Sequence, residues 1–267
     1  MNKEIKESME KRYCLVCKDV PNLDITYSYI YEALESAGFI YDEENPGLVI
    51  SLGGDGTFLK AVDLYREKRP IFLGINLGKL GFLCQFSENE IDYALELLLN
   101  NEERKYIKYP LIMVQCGDRK YFALNEVRIT AMNGTSTSFD VLIDDVNLER
   151  LNADGMSICS PLGSSGINKG LGGAIVDPSI FALELTEITP INNKFYCSIN
   201  SPLIINGKSC ITLENFSSIK INLFMDNRAY QIEDMKKMLI SYCDEYVLVL
   251  KNLNNNYINK LNNSFIK

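Results

Sequence analysis

The chain contains no histidine among its 267 residues. That absence removes every mechanism built on an imidazole, so acid–base work falls to carboxylates, lysine, tyrosine or cysteine. It also undercuts Cys14-Leu15-Val16-Cys17 as half of a zinc site. No second CxxC follows, and on a strand positions 14 and 17 face opposite sides, so no structural metal is expected. Basic residues are outnumbered, 27 Lys and Arg against 35 Asp and Glu, for a net charge of −8, and no basic run stands out. Nucleic acid and anionic membrane are therefore not expected as partners. No apolar run approaches the ~18 residues of a membrane span. Met1-Asn2-Lys3-Glu4-Ile5-Lys6-Glu7 lacks the apolar core of a signal peptide. A soluble, cytoplasmic protein is expected. Its eight cysteines, sited mostly in predicted strands and apolar runs as at Cys14, Cys159 and Cys197, are expected to be buried free thiols.

What is present is globular in character, with 46% hydrophobic and 23% charged residues in a length suited to one large domain or two ordinary ones. The N-terminal part alternates strand and helix patterns. Tyr13 to Val16 reads as a strand, and Ile25, Tyr29, Ile30, Ala33, Leu34 and Ala37 mark a helical face ended by Gly38. Strands at 48–52 and 70–75 follow, with helices after the first and over 88–100. Such alternation predicts a parallel sheet covered by helices. From Pro110 short apolar runs, such as 111–114, 139–143 and 219–223, are separated by Asn, Asp and Gly turns, and Asn206-Gly207 signals a hairpin. That half reads as all-β. The Asn-rich tail could be low complexity, yet Leu253, Tyr257, Ile258, Leu261 and Phe265 recur at helical spacing.

The most informative stretch runs from Leu48 to Leu59: an apolar strand, then Gly53-Gly54-Asp55-Gly56-Thr57, then a resumed helical pattern. A strand, tight turn and helix start leave backbone N–H groups free for an anion such as phosphate. A carboxylate repels phosphate, so Asp55 fits better as a proton acceptor or as a handle on a metal or sugar hydroxyl. The residues alone equally fit a plain turn in which Asp55 caps the helix.

GGDGT is shared by kinases with small-molecule acceptors, among them lipid kinases and NAD kinases. Followed by Gly74-Ile75-Asn76, then Gly78 and Leu80-Gly81-Phe82-Leu83, it resembles the NAD kinase family specifically. Asn125-Glu126, Asp154-Gly155, Gly163-Ser164-Ser165, Gly172-Gly173 and Ile191-Asn192-Asn193 follow in the family's order. The ending Asn263-Ser264-Phe265-Ile266 resembles that of Gram-positive bacterial NAD kinases, and the resemblance runs from about residue 12 to the end.

The resemblance implies an α/β N-terminal domain over 1–109, an all-β, sandwich-like NAD-binding domain over 110–250, and a helix over 251–267 that returns to the first domain. It implies ATP-dependent phosphorylation of the 2′-hydroxyl of the adenosine ribose of NAD, giving NADP. Mg²⁺ or another divalent cation would arrive with ATP, and the enzyme would be a homodimer or homotetramer. Asp55 becomes the proton acceptor, with Gly53, Gly54, Gly56 and Thr57 as the phosphate loop. The NAD-binding set becomes Asp55, Gly56, Asn125, Glu126, Asn152, Asp154, Ser165, Gly166, Ile167, Gly170 and Thr189. Asn125 and Glu126 would hold sugar hydroxyls, and Asp154 the nicotinamide-side half. This chain departs from the family where Ser165 replaces Thr, Gly166 replaces Ala, Ile167 replaces Tyr, and Asn152 stands where many relatives carry Arg. Asp226-Asn227-Arg228 stands where many carry Asp-Gly-Gln. Those changes bear on affinity and on NAD against NADH. A catalytically weak NAD(P) sensor and a lipid-type kinase are the alternatives; the first rests only on Ile167 and Asn152, and the second is disfavoured by the net charge and the Leu80–Leu83 element.

Overall fold

In the computed structural model, which describes residues 11–18, 23–78, 81–100, 102–132, 134–218, 220–234 and 236–266, the early apolar runs form a parallel sheet. The expectations placed on Met1–Glu7, on Lys79 and Leu80, and on Ile219 fall outside the described residues. By packing, the chain divides into one unit that runs to Tyr109 and resumes at Tyr246, and another over Pro110–Glu245.

The first unit holds β1 (Arg12–Cys17), α1 (Leu23–Ser36), β2 (Ile40–Tyr41), β3 (Leu48–Leu52), α2 (Asp55–Tyr65), β4 (Ile71–Asn76), β5 (Phe86–Ser87) and α3 (Ile91–Leu99). The parallel order is β4-β3-β1-β2, with β5 also alongside β4. Every residue of β3 and β4 is buried, which is why both read as unbroken apolar runs rather than alternations. Ile30 and Leu34 of α1, Leu48, Ile50 and Leu52 of β3, and Leu95 and Leu98 of α3 share one core. Ile25 and Tyr29 are exposed, so the apolar face of α1 is real only in its later turns. Gly38 ends it at a φ of +80°, a left-handed conformation that favours glycine.

The second unit holds β6 (Tyr106–Cys116), which begins just before the boundary, then β7 (Arg119–Ala123), β8 (Glu126–Ala131), β9 (Thr137–Ile143), β10 (Val146–Ala153), β11 (Gly155–Cys159), α4 (Ile167–Gly170), β12 (Ala182–Ile188), β13 (Leu203–Asn206), β14 (Ile211–Glu214), β15 (Lys220–Met225), β16 (Arg228–Glu233) and β17 (Lys237–Leu250). One antiparallel sheet runs β13-β12-β11-β8-β15-β16; β10-β9-β14-β17, with β6 and β7, supplies the other. Val127, Ile129, Ile158 and Leu185 of the first sheet and Phe139, Val141, Leu213 and Ile240 of the second form a single core. This is the expected sandwich-like, all-β arrangement.

Asn206-Gly207 is a correction. β13 pairs with β12, whereas β14 pairs with β9 and β17, so the runs flanking the dipeptide lie in different sheets and form no hairpin. A type I′ hairpin turn needs positive φ at both central residues, and neither Asn206 nor Gly207 has it. Their turn hands the chain from one sheet to the other.

β17 ends in the first unit, where Leu248 and Val249 pair in parallel with Ile71 and Phe72. The helix α5 (Tyr257–Phe265) follows, capped by Asn256, whose side chain accepts from the Ile258 N–H. The tail is therefore helical, but Leu253, Ile258 and Phe265 are largely exposed while Asn252 and Lys260 are buried. Buried polar side chains anchor the tail beside the half-buried Tyr257 and Leu261 of the expected apolar set.

A Cβ on Gly155 would lie 2.0 Å from the Ile129 carbonyl oxygen across the β11–β8 ladder. Gly155→Ala is expected to destabilise the fold by about 1–3 kcal/mol in urea unfolding. A midpoint equal to the parent's would show that the ladder yields at no cost.

Candidate functional site

Gly53 follows β3, and a Cβ there would sit 2.3 Å from the Thr57 hydroxyl oxygen, so only glycine fits. Gly54 is the cap of α2, and its carbonyl accepts from the Thr57 and Phe58 N–H groups at 3.0 and 3.1 Å. Asp55 is the first helical residue, so the capping reading fails. Its carboxylate reaches instead to residues 82–84. The N–H of Phe82 donates to one oxygen at 2.7 Å, and those of Leu83 and Cys84 to the other at 3.0 and 3.3 Å. Two glycines make this approach possible. A Cβ on Gly81 would fall 2.2 Å from Asp55, and one on Gly74 would lie 2.8 Å from the Phe58 ring and 3.0 Å from the Cys84 backbone. A carboxylate has about four lone-pair sites, so three N–H donors leave room for one more proton. The start of α2 favours anions through its dipole.

In the second unit Leu124 and Asn125 link β7 to β8, strands of different sheets. The Asp226 carboxylate, at the β15–β16 turn, accepts from the N–H groups of Leu124, Asn125 and Glu126 at 2.7, 2.8 and 3.2 Å. The Asn125 side-chain oxygen is buried and makes no hydrogen bond within the protein. Glu126 is 6% exposed. Burial, reinforced by Asp226 and opposed by Arg128, pushes its carboxyl from 4.5 up to about 7.

The glycine- and hydroxyl-rich loop lies against Asn125. The Ser160 N–H donates to the Asn125 carbonyl, its hydroxyl donates to Leu124, and a Cβ on Gly163 would stand 2.7 Å from that Asn125 oxygen. Ser165, Gly166, Ile167 and Gly170 follow in a short turn and α4. Ile167 is 43% exposed and Leu171 half-buried, whereas Asn168 is buried. Polar contacts hold the loop. The Asn168 amide donates to Glu184 at 2.8 Å, Thr186 donates to Asn168 at 3.0 Å, and the Ala174 N–H donates to Glu184 at 2.7 Å.

Asn152, Asp154 and Thr189 gather at the other end of β11. The Asp154 N–H donates to Ile188 at 2.9 Å, and the Ile191 N–H to the Asn152 carbonyl at 2.8 Å. Four strand steps at ~3.3 Å put this group roughly 13 Å along β11 from the Asn125 group. Thr189 is β-branched with a φ of +52°, a strained conformation costing on the order of 1–3 kcal/mol.

Sequence reasoning missed Asp226 as a support, along with Arg128, Ser157, Asn168 and Glu184. One signal was available. Glu126, Arg128 and Thr130 share a face of β8 opposite the buried Val127, Ile129 and Ala131. Arg128 and Ser157 pair across the strands, and the Arg128 Nε and Ser157 hydroxyl are buried without hydrogen-bond partners. The cysteine expectation also needs correcting. All eight are free, but Cys197 is exposed and outside the named strands, and Cys17, Cys210 and Cys243 are half-buried. Among the described residues no three Asp, Glu or Cys side chains gather to hold a metal, and no helix is long and apolar enough to cross a membrane.

Residues 3–103 match the family model of the ATP-NAD kinase N-terminal domain, and residues 124–251 that of the ATP-NAD kinase C-terminal domain. The NAD kinase of the Gram-positive bacterium Streptococcus thermophilus (strain CNRZ 1066) is 35% identical over 242 residues, covering 88% of this chain and 86% of that protein. The fold is also that of yeast NADH kinase complexed with NADH, at a TM-score of 0.80 and 21% identity over 96% of this chain and 87% of the other. An NAD kinase from Archaeoglobus fulgidus in complex with ATP gives a TM-score of 0.78 at 22% identity, over 94% and 99%. The two-domain architecture and these matches define a kinase enzyme. The chain belongs to the NAD kinase family.

The raised Glu126 carboxyl gives a pH test. The folded chain holds a proton that the unfolded chain releases between pH 4.5 and about 7, so this contribution to stability is present below that window and lost as pH rises through it. Glu126→Gln, which cannot ionise, should match the parent near pH 4.5 and exceed it at pH about 8 by on the order of 2–3 kcal/mol in urea unfolding. A difference that does not change with pH would contradict the assignment.

Proposed function

We propose that this enzyme transfers the γ-phosphoryl group of ATP to the 2′-hydroxyl of the adenosine ribose of NAD, giving NADP and ADP, with Asp55 taking the hydroxyl proton. Family membership supports the reaction, and the Archaeoglobus neighbour was solved with ATP and the yeast neighbour with NADH. The observation that carries the role of Asp55 is its carboxylate, fixed on the first turn of α2 by three amides with acceptor capacity to spare. In the transfer the ribose oxygen bonds to the γ-phosphorus as the bond to the β-phosphate oxygen breaks, and the proton passes to Asp55. Gly53, Gly54, Gly56 and Thr57 form the loop that would meet phosphate; the Gly53 and Thr57 N–H groups are already donated to the Ile75 and Gly54 carbonyls, so phosphate would approach the open face at Gly54. The divalent cation belongs to the nucleotide substrate.

Asn125 and Glu126 suit sugar hydroxyls. The Asn125 oxygen lacks a protein partner, and Glu126 accepts when ionised and donates when protonated. Ser165, Gly166, Ile167 and Gly170 line the dinucleotide beside them, and Asn152, Asp154 and Thr189 receive its nicotinamide half. Assembly into a homodimer or homotetramer rests on the family resemblance, and location in the cytoplasm on the composition of the sequence.

Purified enzyme should form NADP from NAD and Mg-ATP. Asp55→Asn, checked for an unchanged melting temperature, should lose about 10²–10⁴-fold in kcat. Equal rates would remove the proton-acceptor role from Asp55. No NADP or NADPH from either NAD or NADH would overturn the reaction itself.

A further inference from the structure

The one buried side chain of α5 is a lysine, Lys260, 4% exposed, while Tyr257 and Leu261 are half-buried and Ile258 and Phe265 exposed. Its ammonium donates to the carbonyls of Phe82 at 3.1 Å and Cys84 at 2.8 Å. The Phe82 carbonyl belongs to the same peptide group as the Leu83 N–H, which donates to Asp55. That peptide group therefore lies between an ammonium on its oxygen and a carboxylate on its nitrogen. Hydrogen bonds in such a chain polarise and strengthen one another.

The rest of the tail grips the same segment. The Phe82 ring lies against Tyr257 at 6.2 Å and stacks on Phe265 at 5.6 Å. The side-chain amides of Asn252 and Asn255 each donate to the Gln85 carbonyl at 3.0 Å. Residues 82–85 are thus held by the C-terminal segment on one side and by Asp55 on the other.

We infer that Lys260 is a positioning residue for phosphoryl transfer: through the Phe82 and Cys84 carbonyls it fixes the amides that orient the Asp55 carboxylate. The inference deepens the proposed function and rests on Asp55 as proton acceptor. Burial lowers the Lys260 ammonium to about 8, opposed by Asp55 of α2, Cys84 of the loop and Glu90 of the turn before α3. The folded chain therefore gives up this proton between about 8 and 10.5 while the unfolded chain keeps it, so stability gains across that window and burying the charge costs stability below it. A charge kept at neutral pH against that cost fits a functional role. Above about 8 the neutral amine loses one donor and its charge, and turnover should decline on the alkaline side.

The test measures kcat and KM for NAD and Mg-ATP from pH about 6.5 to 9.5 in the parent, Lys260→Met and Lys260→Arg, with melting curves for each. NADP formation by the parent checks the reaction separately. Lys260→Met should lose about 10–100-fold in kcat with KM within about threefold. Lys260→Arg, whose guanidinium stays charged, should recover most of kcat and abolish the alkaline decline. Should Lys260→Met fail to fold, the alkaline decline decides: present in the parent and absent in Lys260→Arg, it supports the inference. An active parent with kcat kept in folded Lys260→Met, a loss that falls on KM instead, or the same decline in parent and Lys260→Arg, overturns it.

Discussion

Three consecutive backbone N–H groups on one aspartate carboxylate form the interaction on which this account depends. Amides in an irregular segment have no ladder or helix to satisfy them, and an unpaired buried donor costs about 1–3 kcal/mol. Asp55 meets that need for residues 82–84, and in return the loop fixes its carboxylate. The second unit repeats the device: Asp226 gathers the amides of 124–126 and so sets the backbone from which Asn125 and Glu126 extend. In each case a carboxylate from a distant turn does for a loop what secondary structure does elsewhere.

The parts of this fold legible in sequence were those whose signal is local. β3 and β4 are buried on both faces, so their residues print unbroken apolar runs, and glycines mark where backbone must approach closely, as at Gly53 and Gly81. Long-range partnership was not legible. Asp226 lies about a hundred residues from the amides it binds, and nothing near it in the chain betrays that. Asn206-Gly207 misled because the dipeptide signals a turn without saying whether the flanking strands share a sheet. The tail misled differently: its helical spacing was real, but the buried positions went to Asn252 and Lys260. The loop after Pro161 is held by Asn168 and Glu184, a partnership that no local pattern announces. The roles given to Asn152, Asp154 and Thr189 came from family resemblance alone.

Several residues given roles in the proposed chemistry run against stability. Glu126 is buried with its carboxyl raised to about 7, Lys260 is a buried ammonium lowered to about 8, and Thr189 holds a left-handed backbone. Such violations of local preference are expected where function rather than folding selects the residue. Both charged groups are still anchored in polar surroundings, Lys260 on two carbonyls and Glu126 beside Arg128. The Asn-rich tail belongs to the same pattern. Its short amides reach the Gln85 carbonyl and cap α5, which apolar side chains at those positions could not do.

The most direct test of the central claim is a crystal structure of the enzyme with NAD bound. The account predicts an Asp55 carboxylate oxygen within about 2.6–3.2 Å of the 2′-hydroxyl of the adenosine ribose, with the amides of 82–84 still on the carboxylate. A ribose hydroxyl bound out of reach of Asp55, or a carboxylate that has left those amides, would contradict it.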